Sequence, residues 1–213
     1  MKIVSLILAR GGSKGIPGKN IIDINGSPLI SYTIKASINS NVQETWVSTD
    51  CENIKKVAEQ LKANIINRPS ELAQDTSQSE DALLHFSKSN DFDVLVFIQP
   101  TSPLLTSHYI NEGIQLMLNN LNYDSICSVY REHWVPRWSI DGKPLDWDIN
   151  NRPRRQDVAE KYVENGAFYI TTKHNLIKYK LRYGGNLGFI EMKLSESFQI
   201  DTIDDLELIK KII

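Results

Sequence analysis

Ile3-Val-Ser-Leu-Ile-Leu-Ala9 is a short, almost wholly aliphatic run that stops abruptly at Arg10-Gly-Gly-Ser-Lys-Gly-Ile-Pro-Gly-Lys-Asn20. A run so rich in β-branched and aliphatic side chains reads as a strand buried on both faces, which belongs in the middle of a parallel sheet. The glycines behind it let the backbone approach a ligand closely and turn amides inward, while Arg10, Lys14 and Lys19 add fixed positive charge. A buried strand feeding such a loop predicts a cradle for a polyphosphate. The loop is not a Walker A sequence: Ser13 stands where its first glycine should be, and Asn20 replaces the metal-binding hydroxyl. The G-x-G-x-x-G dinucleotide spacing is also absent.

The pattern then alternates. Helices are expected at Pro28 to Asn39, Glu52 to Lys62, Ser79 to Ser87 and Ser107 to Leu118. Strands are expected at Thr45 to Thr49, Asn64 to Ile66, Asp93 to Gln99 and Asp124 to Tyr130. Strands separated by helices of this length predict crossover units, hence an α/β fold with a mostly parallel sheet flanked by helices. Residues 131–164 differ in texture, holding three of the four tryptophans (Trp134, Trp138, Trp147), three of the eight prolines and a basic cluster. We read this as an inserted arm that supplies a dimer surface and covers a site. Strands at Ala167 to Thr171 and Leu187 to Lys193, a short helix at Lys173 to Tyr179 and a helix at Thr202 to Ile213 complete the expectation. At 213 residues the chain suits one domain, residues 1–213, with residues 131–164 inserted into it.

Charge narrows the function. A net charge of −2 gives no basic excess, so nucleic acid held mainly through its phosphates is not the expected partner. No apolar run approaches the ~20 residues of a membrane span, and the expected location is the cytoplasm. Cys51 and Cys127, the only two cysteines, form neither a disulfide framework nor a thiolate metal site. His85, His108, His133 and His174 show no ligand spacing.

Taken from the residues alone, Gln99 sits at the carboxyl end of the strongest strand, where open α/β sheets bind ligands. Arg68 before Pro69 reads as a surface turn, and Phe168, in an alternating pattern, reads as core. Arg152, Arg154 and Arg155 read as a solvated charge patch. Thr202 reads as a helix N-cap with Asp204 and Asp205 in the first turn, where acids favour the helix dipole.

Several blocks, in order, carry a resemblance: the segment from Leu6 to Asn20, Trp46-Val-Ser-Thr-Asp50, Arg68-Pro69 with Glu71-Leu72 and Asp75-Thr76, Gln99-Pro-Thr-Ser-Pro103, Arg152-Pro-Arg-Arg-Gln-Asp157 and Glu164-Asn-Gly-Ala-Phe-Tyr169. Together they resemble the acylneuraminate cytidylyltransferases, in the animal-type form of the N-terminal signature, over essentially the whole chain. The resemblance implies a Rossmann-like sheet and a homodimer whose arm reaches toward the partner's site. It implies CMP transfer from CTP to the anomeric C2 hydroxyl of a nine-carbon 2-keto sugar acid, with Mg²⁺ as cofactor. Arg10, Lys14, Lys19 and Asp201 are the implied catalytic residues. Arg10, Gly11, Gly12, Ser13, Lys14, Lys19, Asn20, Arg68, Ser79 and Gln99 are implied for the nucleotide, and Gln99, Arg155, Asn165, Phe168 and Tyr169 for the sugar, with Arg137 a looser match.

The acidic site departs from the family pattern. Relatives usually carry Asp-Ile-Asp; this chain carries Gln199-Ile-Asp201, which leaves Asp201 as the metal carboxylate and the Gln199 side-chain oxygen as a weaker, neutral ligand. Two other readings follow from that change and from the shared sugar chemistry. One is a nucleotide-binding relative without turnover; the other is a CTP-dependent enzyme for a different 2-keto sugar acid.

Overall fold

The computed structural model describes residues 1–120 and 122–213. The aliphatic run forms β1 (Ile3–Leu8). A small hairpin follows the glycine-rich loop, β2 (Asp23–Ile24) with β3 (Ser27–Pro28), and then come α1 (Leu29–Ile38), β4 (Glu44–Thr49), α2 (Glu52–Gln60) and β5 (Asn64–Asn67). The chain continues through α3 (Ser79–Ser89), β6 (Val94–Ile98), α4 (Ser107–Asn119) and β7 (Ser125–Glu132). A second hairpin, β8 (Arg137–Trp138) with β9 (Pro144–Leu145), precedes β10 (Lys161–Thr172), α5 (Lys173–Tyr179), β11 (Leu187–Glu191) and α6 (Ile203–Ile212).

Seven strands make one sheet in the order β5-β4-β1-β6-β10-β7-β11. Every neighbouring pair is parallel except those of β10, which runs antiparallel to both β6 and β7. The pleat sends alternate residues to opposite faces. Val94, Val96 and Ile98 meet α1, α2 and α4 on one face through Ile34, Ile54 and Ile110, while Leu95 and Phe97 meet Leu83, Phe86 and Leu176 of α3 and α5 on the other. This is the mostly parallel, helix-flanked, Rossmann-like sheet expected from the sequence.

The chain moves from β1 outward through β4 to β5, then returns to lay β6 on the other side of β1. That reversal opens a crevice beyond the carboxyl ends of β1 and β6, the place where open α/β sheets take ligands. A third apolar cluster joins Ile16 of the glycine-rich loop to Ile200, Leu206 and Ile209, docking α6 beside that crevice. Thr202 caps α6 in a reciprocal box with Asp205, as the residue pattern predicts.

One boundary is corrected. The sequence reading opens the irregular arm at Arg131 and closes it at Glu164, yet β7 runs to Glu132 and β10 already starts at Lys161. Lys161 to Glu164 pair with Glu132 to Val129, so the sheet extends as a two-stranded ribbon that carries the arm. Tyr162 and Glu164 are exposed there, and without a buried face the strand lacked a hydrophobic signal. Among the described residues, no helix is long and apolar enough to cross a membrane.

Candidate active site

The crevice is a cleft of about 510 Å³. Its floor is made by strand ends: Arg10 and its loop follow β1, Arg68 follows β5, and Gln99 follows β6. Ser13, Lys14, Lys19, Asn20, Ser79 and Asp201 line it as well, so nine of the residues implied by the motifs converge on one space.

The loop is held open by contacts that fix its shape. Asp50, at the end of β4, accepts a hydrogen bond from the Gly11 amide at 2.8 Å. A Cβ on Gly11 would stand 2.9 Å from Cys51 Cβ, which explains the glycine. The Gly11 amide is therefore already engaged by Asp50, and Gly11, which the resemblance implies for the nucleotide, does not line the cleft. Gly12 has open space around it and does not line the cleft. Asn20 is buried and donates from Nδ2 to Arg10 O at 2.9 Å. Its Oδ1 is buried without a hydrogen-bond partner among the described residues, an arrangement that suits a ligand donor.

Four basic side chains line the cleft, and carboxylates pair with three of them, Arg10, Lys14 and Lys19. Lys19 Nζ lies 2.9 Å from Asp201 Oδ1, while Arg10 Nη2 and Lys14 Nζ lie 2.8 and 3.1 Å from the two oxygens of Asp75. The bond from Lys14 leads the interactions that hold the Asp75 carboxyl below its ordinary range. Arg68 is not the surface turn its sequence suggests: it is 8% exposed, with Nε 3.0 Å from Ser48 Oγ and Nη2 2.7 Å from Ser48 O. Burial pushes its guanidinium down to about 10, against the nearby Asp50 carboxylate, which favours the charged form.

The Gln199 side-chain nitrogen donates to Asn165 O and lies 3.3 Å from Ser102 Oγ, tying the segment before α6 to β10. Gly166, at φ +67°, makes room for it: a Cβ there would stand 2.6 Å from Gln199 Nε2. Among the described residues, no group of three or more His, Cys, Asp or Glu side chains gathers as a metal site. The donor set fits a divalent cation only through the Asp201 carboxylate completed by phosphate oxygens and water, a coordination usual for Mg²⁺. Asp204 is exposed, and Asp205 is engaged by the Thr202 cap.

The implied sugar residues other than Gln99 are not brought to the cleft. Phe168 is fully buried and packs toward α4, where it lies against Gly113, so the reading of Phe168 as core holds. Tyr169 is buried as well: its ring stacks on Phe97 at 5.6 Å and its hydroxyl donates to Glu164. Asn165 is turned inward, its Oδ1 accepting from Ser128 Oγ at 2.7 Å and its Nδ2 donating to Ser197 Oγ at 2.9 Å. Arg155 lies on the arm, in a separate pocket with His133, Trp134 and Glu160, and Arg137 pairs with Glu132 at 2.6 Å. The reason is topological: β10 lies between two strands with helices on both faces, which leaves Phe168 and Tyr169 no solvent side.

Sequence reasoning gave Asp50 and Asp75 no role, although both fall in the matched blocks. Their signal was position: acids directly after a strand end and in the turn facing a basic loop.

The structure defines the class: an α/β protein with a mostly parallel sheet and a cationic cleft at its strand-order reversal. The chain belongs to the cytidylyltransferase family, whose model matches residues 4–212. It is 42% identical over 208 residues to N-acylneuraminate cytidylyltransferase A of Danio rerio, covering 93% of this chain and 48% of that protein. It is 33% identical over 217 residues to N-acylneuraminate cytidylyltransferase of Escherichia coli O18:K1:H7, covering 97% and 51%. The chain thus spans about half the length of the curated relatives it matches. Among solved structures, CMP:2-keto-3-deoxy-manno-octonic acid synthetase complexed with CTP matches with a TM-score of 0.79 at 20% identity, covering 100% of this chain and 98% of that one. A 4-diphosphocytidyl-2C-methyl-D-erythritol synthase from Anaerococcus prevotii matches at 0.67 and 13% identity, covering 99% and 98%. At these identities the likeness is one of fold.

Proposed function

We propose that this chain transfers CMP from CTP to the anomeric C2 hydroxyl of a nine-carbon, sialic-type 2-keto sugar acid and releases pyrophosphate. The observation that carries the reading is the convergence of Arg10, Lys14, Lys19 and Asp201 on one cleft beyond β1 and β6. The names of the relatives support the sugar class.

The chemistry asks for positioning and charge rather than a protein nucleophile. A bond forms between the sugar oxygen and the α-phosphorus as the bond to the pyrophosphate oxygen breaks, and the hydroxyl proton leaves to water. Arg10, Lys14 and Lys19 neutralise the departing pyrophosphate. Arg68, held rigidly by Ser48, and Ser79, at the start of α3, shape the nucleoside side, and Gln99 orients the sugar. Asp201 would hold Mg²⁺ with the phosphates, where the ion supplies charge neutralisation.

A sugar carboxylate calls for a cationic receptor, and Arg suits it because its planar fork pairs with both oxygens. Arg155 stands in the arm's own pocket, so this reading makes the active form a homodimer in which the partner's arm completes the sugar side. The exposed Val135, Trp138, Ile140 and Ile149 on the arm support a covered surface. Both cysteines are unpaired, which agrees with a cytoplasmic setting.

Pyrophosphate release with CTP, Mg²⁺ and a panel of nonulosonic acids tests the proposal, with release expected for at least one nine-carbon acid. Release with only a shorter 2-keto acid would reassign the substrate. CTP binding without release for any sugar would reduce the protein to a nucleotide-binding relative.

A further inference from the structure

We propose that Asp75 is an intramolecular stand-in for phosphate: it pairs with Arg10 and Lys14 when the cleft holds no nucleotide and takes them back as pyrophosphate leaves. The inference rests on the reading of the cleft as a polyphosphate site and adds a residue that governs product release.

The geometry carries it. Asp75 Oδ1 lies 2.8 Å from Arg10 Nη2 and its Oδ2 3.1 Å from Lys14 Nζ, so one anion bridges two cations through separate oxygens, as a phosphate would. Arg10 Nη1 donates to Gln74 O at 2.5 Å, so both terminal nitrogens of that guanidinium are engaged by the same short segment. Leu72, Gln74, Asp75 and Ser77 belong to the wall of the cleft itself. The segment holds its own shape, because Ser77 Oγ donates to Glu71 O at 2.8 Å and accepts from the Gln74 amide at 3.2 Å. It can therefore shift as a formed turn instead of unravelling.

A carboxylate and a phosphate cannot both occupy the space between Arg10 and Lys14, since like charges at that range repel. Entry of the nucleotide must displace Asp75. The reverse follows on turnover, when the tethered carboxylate competes for the two cations and weakens their hold on pyrophosphate. Asp201 differs, because it stands at the capped start of α6 beside the apolar cluster that anchors the loop.

The test is calorimetric binding of inorganic pyrophosphate, without divalent cation and at low salt, to the wild-type chain and to Asp75→Asn and Asp75→Ala. Both variants should bind about five-fold more tightly, the gain expected when two partly exposed ion pairs no longer compete. A second substitution, Lys14→Met, should then cost more affinity in Asp75→Asn than in wild type, because only wild-type Lys14 is already neutralised. Equal or weaker pyrophosphate binding by the two variants, with wild-type binding intact, would overturn the role given to Asp75. No pyrophosphate binding by the wild-type protein would instead overturn the cleft reading, and the inference with it. Melting curves check that each variant is folded, and either variant alone suffices because both remove the charge.

Discussion

The glycine-rich loop of residues 10–20 and the arm of residues 133–160 are both irregular and both carry a cluster of basic side chains, yet the structure treats those charges differently. The loop is tied to the body: Ile16 enters an apolar cluster with α6, Asp50 holds Gly11, and Lys19 reaches across to Asp201. The arm is tied to itself. Arg152 lies 5.9 and 5.8 Å from the ring centres of Trp134 and Trp147, and Arg154 pairs with Asp157 at 2.7 Å. Positive side chains become a binding site when the sheet fixes their backbone beside a void. Elsewhere they stabilise their own segment.

Substitutions can break this contrast. The largest effect should come from Lys19→Met, which removes a largely buried cation from the cleft; kcat/KM for pyrophosphate release should fall about 100-fold, the usual scale for one lost transition-state charge contact. Steady-state kinetics with CTP as the varied substrate measures it. Gly166→Ala should come next, because it places a Cβ at φ +67° against Gln199. Unfolding in urea should show a loss of about 2 kcal/mol, from left-handed backbone strain together with the displaced clamp.

A smaller effect sharpens the role of α6. The Thr202 hydroxyl, followed by the backbone amides of Thr202 and Asp201, holds the Asp205 carboxyl below its ordinary range. A carboxyl lowered in the folded state stabilises the protein above its unfolded value of about 4, and that contribution is lost as pH falls through the folded value. Asp205→Asn should therefore flatten the acid limb of stability, read as the urea midpoint against pH from neutral downward. The smallest effect belongs to the arm's surface: Arg154→Ala should change the KM for CTP by less than about two-fold, since an exposed ion pair contributes little. A large CTP effect there would erase the distinction between loop and arm.

The parts of this architecture written in local sequence were legible. β1 and β6 are aliphatic because both faces are covered, and the loop behind β1 advertises its chemistry by composition. The cationic side of the cleft could be read because Arg10, Lys14 and Lys19 lie within one short segment. The placement of the residues implied for the sugar could not, because it depends on contacts distant in sequence. Phe168 and Tyr169 lie in a matched block, but which faces of β10 are covered is decided by β6, β7 and the helices above and below. Arg68 was hidden for the same reason: its partner, Ser48, lies on another strand, and burial so far from its own turn leaves no local trace. Gln199 looked like a missing carboxylate, and only its contact with Asn165 shows it to be a clamp.

β10 runs without interruption from the ribbon under the arm into the middle of the sheet, with its register shift confined to the stretch between Glu164 and Tyr169. Everything outside residues 132–161 is thereby insulated from changes in arm length, since an insertion between those limits leaves every core residue on its own face. A single residue added between Ala167 and Thr172 would turn that strand's interior outward. By this geometry an arm of different size would leave the sheet unchanged, with the boundary for such grafts lying at the end of β7 and the start of β10.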